Sequence, residues 1–134
     1  MRFFIAFLAL FTPVFAQAET GWKFAGGEEA VFLHYGDGLG FFCTPGMGTV
    51  GIYAEVPQAA ATETLSFTAA GQRFSYPSVS VQTGLQIRVA ADDPLFSAMA
   101  MGGEMRVEAG GAGVDVPLNG ADVAGLQRAC APSP

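Results

Sequence analysis

Apolar and polar residues alternate along most of this chain with a period of two. In a β-strand successive side chains point to opposite faces, so this pattern predicts strands with one buried face. The pattern occurs in short segments separated by glycine-rich turns: residues 30–35, 39–43, 50–56, 65–69, 74–76, 79–81, 85–89, 104–109 and 114–118. Many short strands at this spacing are typical of a sandwich or a barrel.

Two segments depart from the alternation and predict short helices. Asp93 and Pro94 suit the N-cap and first position of a helix, and apolar residues then recur at helical spacing until Gly102. A second helix is predicted over residues 119–129, where Val123, Leu126 and Cys130 fall on one helix face. The sequence therefore predicts a mostly β fold, a small antiparallel sandwich or barrel with two short helices.

The two cysteines, Cys43 and Cys130, predict a disulfide. Cys43 shares a strand face with Phe41, and Cys130 lies on the apolar face of the second helix. An even cysteine count in an exported protein is typical of a disulfide framework. We expect this bond to tie the C-terminal helix to the sheet.

The first eighteen residues have the features of a signal peptide. Met1-Arg2 provides a positive start, residues 3–11 are apolar, and Ala16-Gln17-Ala18 is a small-x-small cleavage pattern. The apolar run is much shorter than the roughly 20 residues of a membrane-spanning helix. We expect cleavage after Ala18, with cleavage after Ala16 as the alternative. Residues 19–134 then form a single mostly β domain that is periplasmic or secreted.

Charge narrows the range of partners. The chain has a formal net charge of −6 and only six basic residues. Affinity for nucleic acid depends on lysines and arginines that neutralise phosphates, so no nucleic-acid partner is expected. The same balance disfavours adhesion to anionic lipid surfaces.

The sequence offers little catalytic or metal-binding chemistry. His34 is the only histidine, and no nucleophile or orienting group for it can be identified from the sequence. The adjacent acids Asp92-Asp93 are better explained by a helix cap than by acid–base chemistry. Met47, Met99, Met101 and Met105 could ligate Cu(I), but methionine more commonly fills a core. We therefore predict a non-enzymatic protein with no cofactor and no metal.

Aromatic residues mark a possible binding surface. The alternation places Phe32, His34, Phe42 and Tyr53 on the strand face opposite to the core positions. If a second layer covers this face, these residues belong to the core. If it is open, they form an apolar patch of the kind that marks an interaction site.

The C-terminal third resembles small exported bacterial proteins of the VasI family, which are accessory to type VI secretion. The resemblance covers residues 93–130 and rests on Asp93-Pro94-Leu95-Phe96, Val116-Pro117-Leu118-Asn119-Gly120 and Leu126-Gln127-Arg128-Ala129-Cys130. An upstream cysteine-bearing strand, Phe41-Phe42-Cys43, completes the pattern. This resemblance implies a β-sandwich in the cell envelope and transfers no catalytic residue.

A second resemblance is to periplasmic lysozyme inhibitors of the MliC type. Ala70-Gly71-Gln72-Arg73-Phe74 resembles their Ser-Gly-x-x-Tyr inhibitory loop, with Ala70 at the serine position and Phe74 at the tyrosine position. An acidic inhibitor would suit a cationic lysozyme. The leading expectation is an envelope protein that binds another protein, the alternative is an inhibitor of a lysozyme or other secreted hydrolase, and a small hydrolase or metal carrier that uses His34 ranks third.

Overall fold

The computed structural model describes residues 21–56, 64–82 and 84–133. The proposed signal peptide, residues 1–18, lies outside this range. The described residues form ten strands and two helices in the order β1 Trp22–Gly26, β2 Val31–Tyr35, β3 Leu39–Cys43, β4 Thr49–Ala54, β5 Thr64–Ala69, β6 Gln72–Pro77, β7 Val79–Val81, β8 Gly84–Ala90, α1 Pro94–Ala100, β9 Glu104–Ala109, β10 Ala112–Pro117 and α2 Val123–Cys130.

The strands form two antiparallel sheets. One has six strands in the order β1-β2-β3-β4-β8-β7, and the other has four in the order β10-β9-β5-β6. The inward side chains of both sheets join one apolar core, which includes Phe41 and Ile52 from the larger sheet and Phe67 and Val107 from the smaller one. The predicted mostly β fold is confirmed, with a sandwich-like arrangement of two sheets.

The predicted start of the first helix is confirmed. The Asp93 side chain accepts a hydrogen bond from the backbone N–H of Leu95, and Pro94 begins α1. Four residues of α1 are buried in the core, among them Phe96, whose ring meets that of Phe41 edge-on at a centroid distance of 6.3 Å. The helix therefore packs its apolar face into the sandwich.

The second helix is shorter than the sequence predicts. It begins at Val123, because Asp122 acts as its N-cap and accepts from the backbone N–H of Gly125. Gly120 just upstream has φ +89°, a left-handed conformation that is incompatible with a helix. The expectation that the helix starts at residue 119 is wrong for this reason.

The predicted disulfide is confirmed. Cys43 on β3 and Cys130 at the end of α2 are bonded, both are buried, and their Cα atoms lie 5.8 Å apart. The loop between β3 and β4 also holds the helix end, since the N–H groups of Gly46 and Gly48 donate to the carbonyl oxygens of Ala129 and Cys130. These bonds satisfy carbonyl groups that the end of a helix leaves without partners.

The sequence pattern did not predict strand β1. It forms an edge of the larger sheet and pairs with β2 from Trp22↔Tyr35 to Gly26↔Val31. The indole N–H of Trp22 donates to the carbonyl oxygen of Pro117 at 2.6 Å, and its ring lies against those of Tyr35 and Phe41. Trp22 thereby links the edge strands of the two sheets.

Candidate functional site

The structure places the four predicted surface residues on one face. Phe32 pairs with Phe42 across β2 and β3, His34 pairs with Gly40, and Gly40 pairs in turn with Tyr53 on β4. Residues directly opposite each other in adjacent strands point to the same side of a sheet. We call the outward side of the six-stranded sheet around Phe32, His34, Phe42 and Tyr53 the aromatic face.

The aromatic face is open to solvent at its centre. Phe32 keeps 47% of its surface exposed, while His34, Phe42 and Tyr53 are half-buried. Further along the same face, Val79 of β7 pairs with Gln86 and is 61% exposed. The sequence left open whether these aromatic residues belong to the core or to the surface, and the structure places them on the surface.

Two aromatic rings of this face lie over glycines of neighbouring strands. A Cβ placed on Gly51 would meet the Phe42 ring at 2.5 Å, and one on Gly84 would meet the Tyr53 ring at 2.6 Å. Both rings therefore lie against the backbone of a neighbouring strand, in space that any larger residue would occupy. Such close approach is a common reason for glycine within a strand.

Local hydrogen bonds fix the polar ends of two residues. The hydroxyl of Tyr53 donates to Glu55 Oε2 at 2.7 Å. His34 Nδ1 lies 3.1 Å from the carbonyl oxygen of Gly36, and because a carbonyl only accepts, this nitrogen carries the proton. The hydrogen-bonded partner of His34 is thus a main-chain group of its own hairpin, and the contact positions the ring.

The remaining candidates for chemistry occupy ordinary structural positions. Met99 and Met105 are buried in the core, whereas Met47 and Met101 are exposed. Within the described ranges, no group of three or more His, Cys, Asp or Glu residues could hold a metal ion. Neither cysteine is free, because Cys43 and Cys130 form the disulfide.

The outward face of the four-stranded sheet has the opposite character. Arg73 contacts Glu108 at 2.6 Å, and Arg106 contacts Glu108 at 3.1 Å and Asp115 at 3.0 Å. Arg73, followed by Arg106, lowers the pKa of Glu108 below its ordinary value. Hydrogen bonds to Asp115 and Glu108 raise the pKa of Arg106. This charged network crosses the sheet from β6 to β10 and forms a solvated surface.

The charged network could not be located from the sequence. The alternation places Arg106 and Glu108 on the outward face of β9, but their partners come from β6 and β10. Strands β6, β9 and β10 become neighbours in one sheet because β9 pairs with β5. Between β5 and β9 the chain also forms β7 and β8, which belong to the six-stranded sheet. Strand period alone does not reveal which strands become neighbours.

The larger cavities among the described residues lie away from the aromatic face. A cleft of about 270 Å³ opens between the β2–β3 turn and β10, lined by apolar residues such as Leu39, Val107 and Val116. It is smaller than the roughly 300–1,000 Å³ of typical small-molecule sites. A depression of about 400 Å³ adjoins the end of α2, beside Gln127 and Arg128. Neither cavity is lined by Phe32, His34, Phe42 or Tyr53.

In the described part of the chain, no helix is both long and apolar enough to span a bilayer.

Comparisons with known proteins give no assignment for this arrangement. No protein-family model, no curated protein and no solved structure matches the chain.

Proposed function

We propose that this chain is an exported, non-enzymatic protein of the cell envelope that binds another protein through the aromatic face. The observation that carries the proposal is the difference between the two outward faces of the sandwich. One is crossed by a network of ion pairs, and the other presents Phe32, Phe42 and Tyr53 on adjacent strands.

The composition of the aromatic face suits a protein partner. Aromatic side chains are enriched at protein interfaces and depleted from surfaces that face only water. Phe32, at 47% exposure, retains apolar area that a partner could bury. Its neighbours Phe42 and Tyr53 are held against glycines, so they lose little conformational freedom on binding. A rigid sheet surface of this kind is preorganised for docking.

Export is supported by the disulfide together with the proposed signal peptide. Disulfides persist in oxidising compartments such as the periplasm and the extracellular space, and they are rare in the cytosol. The Cys43–Cys130 bond joins residues 87 positions apart in the chain. A bond between such distant residues restricts the unfolded chain strongly.

A second candidate function is inhibition of a lysozyme or another secreted hydrolase. It is favoured by the hairpin between β5 and β6, in which Ala70 and Gly71 adopt positive φ values of 52° and 75° and are exposed at the tip. A narrow protruding turn on an acidic protein could enter the cleft of a cationic enzyme. Loss of lysozyme activity in the presence of purified protein would support this function, and full activity at a large molar excess would exclude it for lysozyme.

The proposed function can be tested by affinity capture with a matched pair of variants. Phe24 is 42% exposed, close to the 47% of Phe32, but it pairs with Leu33 and so lies on the other side of the sheet. Oxidised protein comprising residues 19–134 is immobilised and exposed to envelope extract of the native host. We expect one dominant protein to be retained by the parent and by Phe24→Ser, and to be lost with Phe32→Ser. Equal retention by both variants, or no specific retention by the parent, would contradict the proposal.

A further inference from the structure

The basic residues of this acidic protein are unevenly placed over its surface. Arg73 and Arg106 are neutralised by carboxylates on the four-stranded sheet. Lys23 and Arg88 instead share the outward side of the six-stranded sheet with the aromatic residues, because Lys23 pairs with His34 and Arg88 pairs with Gly51. The aromatic face therefore carries two cations that take no part in the ion pairs of the four-stranded sheet.

Lys23 and Arg88 flank the aromatic residues from two sides. Lys23 lies on β1 and Arg88 on β8, with β2, β3 and β4 between them. Four strand spacings of about 4.8 Å separate these strands by roughly 19 Å. Phe32 and Phe42 lie on the intervening strands, so an apolar centre has a positive group at either side.

The two cations are available to a partner. In the part of the chain that the structure describes, neither Lys23 nor Arg88 forms an ion pair, and both are exposed. Arg88 Nη1 donates a long hydrogen bond of 3.4 Å to Thr49 Oγ1. On the outward side of the sheet the carboxylate of Glu55, just after β4, accepts a hydrogen bond from the Tyr53 hydroxyl. On the strands of this face two exposed cations accompany one carboxylate, while Glu28, Glu29 and Asp37 lie in the turns at the ends of β1, β2 and β3, so the positive charge is local to Lys23 and Arg88.

We infer that the protein partner of the aromatic face offers an apolar centre flanked by carboxylates, one opposite Lys23 and one opposite Arg88. The inference rests on the proposed function and adds the chemical character of the partner's surface. Charges at the rim of an interface chiefly set the association rate, its salt dependence and the choice of partner. The acidic remainder of this chain would repel partners that approach an acidic surface in another orientation.

Two fluorescent probes that differ mainly in charge test this inference on the intact protein. 8-Anilinonaphthalene-1-sulfonate is an aromatic anion, and N-phenyl-1-naphthylamine is its neutral counterpart. We expect the parent to bind the anion more tightly than the neutral probe at low salt. Lys23→Gln and Arg88→Gln should each weaken binding of the anion about twofold to fivefold, as expected for exposed charge pairs, and leave the neutral probe unaffected.

Arg128→Gln provides the matched control. Arg128 is an exposed arginine in the last turn of α2, away from the aromatic face. The inference is contradicted if Arg128→Gln weakens binding of the anion as much as Arg88→Gln does. It is also contradicted if the parent binds the two probes equally, or binds neither.

Phe32→Ser separates the inference from the proposed function. Loss of both probes in this variant shows that they bind at the aromatic face, so a failure of the charge variants then contradicts the inference alone. Unchanged binding of both probes in Phe32→Ser would contradict the proposed role of the aromatic face as the binding surface. Sedimentation equilibrium completes the test, because a dimer that Phe32→Ser dissociates would assign the face to a second copy of this acidic chain and overturn the inference.

Discussion

The ring of Phe42 lies over the backbone of Gly51 in the neighbouring strand, so closely that a Cβ on Gly51 would come within 2.5 Å of ring atom Cε2. Glycine weakens a strand because it provides no side chain to pack. Here the aromatic ring fills that space and covers the exposed backbone, an arrangement known to compensate for glycine in sheets. The Phe42 ring therefore packs directly on the backbone of β4.

Gly51→Ala is expected to push the Phe42 ring off the sheet. The clash is with the far end of a side chain that can turn towards solvent, so the free energy of unfolding should change by less than about 1 kcal/mol. NMR signals from labelled phenylalanine rings would report the displacement. Gly40→Ala is the matched control, since its Cβ would meet only His34 Cβ at 3.9 Å. Equally small ring shifts in both variants would contradict the described packing.

Removal of the disulfide should be costly. In the chain-entropy model, a bond that joins residues 87 positions apart contributes about 4–5 kcal/mol to stability. We expect the double variant Cys43→Ala/Cys130→Ala, which leaves no lone thiol, to lower the free energy of unfolding by about that amount. Denaturant titration of oxidised parent and double variant measures the difference. An unchanged midpoint would show that the bond contributes nothing to stability.

Tyr76 should make the fold sensitive to alkali. Burial, followed by the hydrogen bond to Asp93 and its charge, raises the pKa of Tyr76 above its ordinary value of about 10. Above pH 10 the unfolded chain then releases this proton while the folded chain retains it. Stability that is present below pH 10 is therefore lost as the pH rises further.

The Tyr76→Phe variant measures this contribution. It has no phenol to ionise at that position, so its denaturation midpoint should fall less steeply than that of the parent above about pH 10. Tyrosinate absorbance, taken as the difference between parent and variant, should appear only above the pH at which a free tyrosine ionises. A difference signal centred near pH 10 would contradict the described contact with Asp93.

The ion-pair network should shift the titration of Glu108 without contributing much to stability. Arg73 is the main cause of the lowered pKa of Glu108, and Arg106 contributes next. Arg73→Gln is therefore expected to raise the pKa of Glu108 towards its ordinary value, measured from its side-chain carboxyl signal by NMR. Because these groups are exposed, high salt should diminish the effect. An identical titration in parent and variant would contradict the contact.

Much of the fold could be predicted from residue pattern alone. The period-two alternation located the strands from residue 30 onward, because one side of each contacts the core. Asp93 and Pro94 identified the start of α1 because capping is a local interaction. Strand β1 was missed because its residues are largely exposed and show no clear alternation. The resemblance to the VasI family stays a prediction.

The candidate surface was only partly predictable. Strand parity placed Phe32, Phe42 and Tyr53 on one side, but their exposure depends on whether another layer covers that side. The proximity of Arg88 to this group depends on the pairing of β4 with β8, two strands separated by three others in the chain. Such long-range pairing is not encoded in the local period. The presence of the two cations Lys23 and Arg88 beside the aromatic residues therefore emerged only from the sheet register.

Photo-crosslinking from the two matched phenylalanine positions tests the central claim most directly. A p-benzoylphenylalanine residue replaces Phe32 in one variant and Phe24 in the other, and the cells that produce the protein are irradiated. We predict one dominant crosslinked protein from position 32 and none from position 24, because only Phe32 lies on the aromatic face. A crosslink to the same protein from both positions, or from position 24 alone, would contradict the account.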